Sequence, residues 1–152
     1  MHSFRKFDND EAIQQSLGFT NIAIISHDFN QNSPALGDMK GLISRGFEVY
    51  PINPDLAENN ITLNGKKVSK TVSDVEDEVQ IVVMHVEPEW IFDVISDLSW
   101  RTEHCADIRT LWIEPGINIS DKVRSDAHDF GWMVVEDCCI LSKVMEHNIS
   151  HI

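Results

Sequence analysis

Cysteine is scarce in this chain and badly placed for pairing: there are three, at 105, 138 and 139, two of them adjacent. An odd count with two neighbours is a poor disulfide framework and suits a reducing compartment, so the expected location is the cytoplasm. Basic residues are outnumbered, 12 against 25 acidic ones, for a formal net charge of −13. Such a surface repels nucleic acid and anionic membranes; neither is expected as a partner, and solubility accounts for the acidity. No apolar run approaches the roughly 20 residues of a membrane helix, and the opening MHSFRKFDNDEA has no apolar core of a secretory signal. G-x-S-x-G, G-x-x-x-x-G-K-[ST] and G-x-G-x-x-G are all missing, so the common hydrolase, P-loop and dinucleotide fingerprints are excluded.

What is present is a regular alternation of two periods. At 152 residues, 42% hydrophobic and 24% charged, the chain is long enough for one core, and it is read as a single domain over 1–152 with no repeat, linker or low-complexity tract. DNDEAIQQSLG (8–18) offers an Asp8 or Asn9 cap and a Gly18 stop, a short leading helix. NIAIIS (21–26) is an apolar run of strand length. ALGDMKGLISRG (35–46) follows Pro34 and sets Leu36, Met39, Leu42 and Ile43 on one face, which is helical spacing. FEVYPI (47–52) is the next strand, and ITLNGKKV (61–68) turns at Asn64-Gly65 as a small hairpin. VQIVVMHV (79–86) is too uniformly apolar for a half-exposed strand, and Pro88 opens a helix through Leu98. RTLWIE (109–114) is a strand, Ser120 caps a helix to Gly131, and WMVVED (132–137) is the last strand. The alternation predicts an α/β, doubly wound, Rossmann-like domain of about five mainly parallel strands with helices on both faces.

Ligands of such sheets sit outside the carboxyl ends of the strands, where the strand order reverses. The segments to watch are therefore Ser26 to Pro34, Asn53 and Pro54, Val86 to Glu89, Glu114 to Asn118, and Asp137 to Ile140. In FEVYPINP (47–54), Pro51 and Pro54 stop the strand and lock its exit, with the Asn53 amide expected to point into the crevice; the alternative is a rigid turn and nothing more.

Several pieces taken in order resemble a known family. RGFEVYPINP (45–54), GKKV with Ser73-Asp74-Val75, Pro88-Glu89, LWIEPGI (111–117) and VVEDCC (134–139) are similar, from about Asn21 to Glu146, to the small stand-alone CoA-binding proteins. Those are single Rossmann-like domains related to the CoA-binding domain of succinyl-CoA synthetase. The stretch between Ser96 and Asp107 is a few residues longer than usual. The resemblance implies a non-catalytic protein whose partner is coenzyme A or a related nucleotide. It places phosphates near Ser26, His27, Asp28, Ser33 and Pro34, an adenine wall at Asn53 and Pro54, and further contacts at Pro88, Glu114, Gly116 and Cys139. At the family's phosphate-binding glycine, serine and arginine this chain has Ser26, Asp28 and Ser33, and its second basic site falls on Val86 and Glu87. Asp28 and Glu87 are expected to set negative charge near a diphosphate, at a cost of about 1 kcal/mol or more each in a partly desolvated cleft. The alternative function is an interaction module, or a binder of another nucleotide or metabolite, that has lost CoA.

Other constellations have two readings each. Cys139 could present a thiol to the pantetheine end, or fill space beneath the crevice. His104, Cys105, Cys138, Cys139 and His147 could be imagined around zinc, but adjacent cysteines grip one ion poorly and no metal is expected. His27 beside Asp28 could act as base and orienter, or stand as an exposed loop histidine. Gly37-Asp38-Met39-Lys40-Gly41 is read as letting its helix approach the sheet, and the four tryptophans as core and crevice wall. No nucleophile, base and orienter line up, so an enzyme is the least favoured class.

Overall fold

Five apolar runs become five parallel strands. The computed structural model describes residues 6–152. In chain order the elements are α1 (Asn9–Ser16), β1 (Asn21–Ser26), α2 (Pro34–Ser44), β2 (Glu48–Ile52), α3 (Pro54–Glu58), β3 (Thr62–Leu63), β4 (Lys66–Lys67), β5 (Ile81–His85), α4 (Ile91–Cys105), β6 (Thr110–Ile113), α5 (Asp121–Asp129), β7 (Met133–Val135) and α6 (Ile140–Glu146). Two short 3-10 turns, Val72–Asp74 and Pro88–Trp90, precede β5 and α4. The sheet runs β2-β1-β5-β6-β7, and every neighbouring pair is parallel. The expected Rossmann-like α/β architecture is the one that forms.

The apolar strands are explained by burial on both faces. Ile22, Ile24, Ile81 and Val83 pack with Ala12 and Ile13 of α1, Met39 and Leu42 of α2, and Ile140 and Val144 of α6. Ala23, Ile25, Val82, Met84 and Leu111 meet Ile91, Ile95 and Leu98 of α4 and Ala127 of α5 on the other side. Each fully buried Leu or Ile contributes roughly 1.5–3 kcal/mol by leaving water.

Local chemistry sets the ends. Asp8 accepts from the Glu11 amide at 2.8 Å while the Glu11 carboxylate accepts from the Asp8 amide, closing a capping box on α1. Asn64 and Gly65, both at positive φ, turn β3 into β4 as the sequence implies. The Pro51 carbonyl accepts from Ser69 on the outer edge of β2, so the donor that proline lacks faces away from β1 and costs the ladder nothing. Two helices are not foreseen from the sequence, α3 and α6, at five and seven residues. Both are too short for a helical period to stand out.

The long α4 is tied down by Arg101, only 2% exposed. Its Nη2 lies 2.7 Å from the buried Asp107 carboxylate, Nε donates to the same group, and Nη1 donates to the carbonyls of Val72 and Val75. Burial alone would raise the Asp107 carboxyl, but hydrogen bonds from Arg101 and from the Val79 amide outweigh it and hold it below the usual carboxylate range. Among the described residues no helix is long and apolar enough to cross a membrane.

Candidate functional site

The strand order reverses between β1 and β5, with β2 on one side of β1 and all later strands on the other. Register places Ser26 beside His85 at this switch point. The segments that follow β1, β5 and β6 meet there around a cavity of about 310 Å³ lined by Ser26, Asp28, Pro34, His85, Glu87 and Gly116, among others. Pro88 lines it too. A second, smaller cavity of about 120 Å³ adjoins on the β2 side, between Ile25, His27, Ile52, Pro54, Val86 and Trp90. Larger hollows of about 480 and 610 Å³ lie on α5 with the segment before α1 and between α4 and α5, the second sharing Pro88 with the crevice.

The candidate residues separate into those that face this crevice and those that build its frame. His27 is exposed and its ring meets Trp90 at 4.5 Å between centroids, forming one side of the smaller cavity; Pro54 forms another. Asp28, Pro34, Pro88 and Gly116 border the larger one. Ser33 instead caps α2, its hydroxyl accepting from the Leu36 amide. The Asn53 amide does not point into the crevice: it donates to the Ser69 carbonyl at 3.0 Å. The Asn53 side chain is also consumed, donating to the Ser26 carbonyl at 2.9 Å and accepting from the Leu56 amide to cap α3. Its role is to pin the end of β2 to the end of β1. The His27 imidazole lies against Trp90, and the Asp28 carboxylate accepts from the Asn30 amide, so the base and orienter reading has no hydrogen bond between the two to stand on.

Asp28 and Glu87 both border the larger cavity, and among the described residues no lysine or arginine does. Lys70 borders the smaller one. Arg45 donates to the Ile149 carbonyl, and Lys66 pairs with Glu48 at 2.8 Å.

Beneath the crevice the structure joins Glu114 and Cys139, both singled out from sequence, to Asp38 and His85, which sequence reasoning missed. His85 Nε2 lies 3.0 Å from Asp38 Oδ2 and 3.4 Å from Glu114 Oε1. Glu114 Oε2 accepts from the Ile140 amide at the start of α6, and the Cys139 thiol lies 3.6 Å from Asp38 Oδ1. Burial, then the hydrogen bond and charge of Asp38, push the Glu114 carboxyl up to about 8 against the pull of the Ile140 amide. Burial also raises the Cys139 thiol, with the charges of Glu114 and Asp38 adding to it despite hydrogen bonds from Ser142, so it is a poor nucleophile. Asp38 had a signal: it stands among Ala35, Leu36, Met39 and Leu42 on the buried side of an apolar helix, where a carboxylate needs a partner.

Three further expectations change. Gly41 lets α6 approach α2 rather than the sheet, since a Cβ there would meet Leu141 at 2.6 Å, whereas Gly37 faces open space. Trp112 and Trp132 are core and Trp90 is crevice wall, but Trp100 is half exposed and stacks on His104, belonging to neither. The imagined zinc set does not form: among the described residues Asp38, His85 and Glu114 are the group of metal-capable side chains that comes together.

Comparison with known proteins agrees with the architecture. A hypothetical protein from Pyrococcus horikoshii OT3 is 21% identical and superposes with a TM-score of 0.77, over 96% of this chain and 98% of its own. A Thermus thermophilus protein of 21% identity gives 0.78 over 91% and 98%. The dinucleotide-forming acetyl-coenzyme A synthetase 1 of Ca. Korarchaeum cryptofilum, in complex with phosphate and ADP, matches at 21% identity and a TM-score of 0.64, over 82% of this chain and 27% of that larger one. These likenesses are of fold. The CoA binding domain itself matches residues 20–145, nearly all of the sheet and its helices, and the chain therefore belongs to the CoA-binding domain family.

Proposed function

We propose that this chain is a binding domain, not a catalyst, that takes coenzyme A or a related adenine nucleotide in the crevice above β1 and β5. The observation that carries the reading is the small apolar cavity between His27, Pro54 and Trp90 at the switch point, in a chain that belongs to a CoA-binding family. The Trp90 ring offers an aromatic wall against which a purine can pack, and Pro54 and Ile52 close the side. When bound, the cofactor would bring its adenine to this cavity and its phosphates toward Ser26, Asp28 and the start of α2.

Thermal unfolding with CoA, acetyl-CoA, ADP and NAD tests this. At about a hundred times a micromolar dissociation constant, linkage stabilises by roughly 2.7 kcal/mol. A rise in Tm with the adenine compounds that is lost in Trp90→Ala supports the proposal. No rise with any of them overturns it and turns attention to protein partners.

One observation favours a less anionic ligand in the same place: Asp28 and Glu87 border the cavity that would receive the diphosphate. Each unit of repulsion is worth about 1 kcal/mol in such a setting. On that reading adenosine binds tighter than CoA, and Asp28→Asn with Glu87→Gln reverses the order, with CoA gaining roughly 30-fold or less. If the double variant leaves CoA binding unchanged, the two carboxylates do not face the ligand.

A further inference from the structure

Four elements converge beneath the crevice floor to bring together donors of unlike chemistry. Asp38 comes from the middle of α2, His85 from the end of β5, Glu114 from just after β6, and Cys139 from the start of α6. One ligand atom each from Asp38, His85 and Glu114 lie within 4.8 Å of one another. We propose that Asp38, His85 and Glu114 form a binding site for a transition-metal dication of the zinc class, with Cys139 beside it against Asp38.

The distances have the scale of a coordination shell. Metal bonds of about 2.0 Å to oxygen and nitrogen give tetrahedral edges of about 3.3 Å between N and O. The observed separations are 3.0 and 3.4 Å from the imidazole nitrogen to the two carboxylates, while the Cys139 thiol lies against the other Asp38 oxygen, Oδ1. A hydrogen-bond network satisfies these contacts less well. His85 Nε2 carries at most one proton yet faces carboxylate oxygens of two different residues, and the Asp38 and Glu114 side chains face each other in a buried setting. A dication answers all of them at once. The donor set of one imidazole and two carboxylates suits zinc and cobalt better than magnesium or calcium, which prefer oxygen alone.

The surroundings have the form of a metal site. Glu114 is oriented by the Ile140 amide on Oε2, which leaves Oε1 for the ion, as outer-shell hydrogen bonds commonly do. His85 is half-buried and borders the larger crevice cavity, so an ion has a route from solvent. Asp38, His85 and Glu114 are separated by 47 and 29 positions in sequence, and none belongs to a metal motif of fixed spacing.

The test uses the whole chain, stripped with a chelator and dialysed, and titrated with cobalt(II) and then zinc(II) in the absence of nucleotide. Its outcome is thus independent of whether the crevice binds CoA. The expected result is saturation at one equivalent, with the strong visible bands of tetrahedral cobalt and their loss when zinc is added. His85→Gln should weaken cobalt binding by more than the roughly 10- to 100-fold that outer-shell groups cost. Glu114→Gln, which can still accept from the Ile140 amide, gives the same loss without depending on how well the histidine variant folds. His147→Gln, outside the cluster, should change nothing. Absence of saturable uptake, or uptake unchanged in both His85→Gln and Glu114→Gln, overturns the proposal and leaves the cluster as a proton-sharing network.

Discussion

The Arg101 guanidinium is inside the protein with every donor engaged, so Arg101→Met should be among the most damaging single substitutions. The side chain donates to Asp107 and to the carbonyls of Val72, Val75 and Asp77. Methionine keeps most of the apolar stem packing, which isolates the loss of the charge. What remains is Asp107 at 8% exposure without its counter-ion, together with carbonyls deprived of their donor. Breaking one side of a buried pair costs about 3–5 kcal/mol, and 4 kcal/mol is a fair central value. With a urea m of about 2 kcal/mol/M, the midpoint falls by about 2 M while m stays put. The pH dependence sharpens the test. In the parent protein Asp107 is held below its ordinary value, so its contribution is complete above the unfolded value of about 3.9 and is lost as pH falls through the folded one. In the variant burial, the largest influence, raises the carboxyl against the amides of Val79 and Asp107 alone; the folded state then binds the proton more tightly, and stability is lost as pH rises. The deficit should therefore be greatest near neutral pH and narrow below about pH 4. A midpoint shift under about 0.5 M, or a deficit flat from pH 3 to 7, would refute the reasoning and mean that water replaces the guanidinium.

Four other substitutions, at Asn53, Gly46 and Gly65, test the crevice frame and the packing of the tail. Asn53→Ala removes the cap of α3 and the tie to the Ser26 carbonyl together, and should cost about 2 kcal/mol in chemical denaturation; Asn53→Asp keeps the cap and should recover about half. Gly46→Ala meets the backbone of His151 and Ile152 at 2.6 Å at a φ of +91°, whereas Gly65→Ala at +80° has open space. The second should cost only the left-handed penalty of about 1–2 kcal/mol and the first clearly more, with equal losses by thermal unfolding counting against the close packing of the C-terminal tail.

The lines of inference that worked from sequence were those governed by local chemistry. NIAIIS and IVVMH are continuous apolar runs because both faces of their strands are covered, and Asp8 and Ser120 cap helices because their short oxygens reach backbone amides three residues on. The resemblance carried in RGFEVYPINP and LWIEPGI led to the family for the same reason, since strand ends and turns are written in neighbouring residues. Asn53 shows the limit: its placement at a strand end was legible, but its amide and side chain were claimed by Ser69, Ser26 and Leu56, partners set by tertiary contact.

Sequence alone determined the α/β alternation, the loops that gather above the sheet, and the two carboxylates, Asp28 and Glu87, that border the crevice. Only the tertiary structure decided that Asp38, His85, Glu114 and Cys139 meet. Their meeting depends on the parallel register that sets Ser26 beside His85, on the rotation of α2 that turns Asp38 inward, and on α6 beginning against Glu114. Those are relations between elements far apart in the chain, and no local period encodes them.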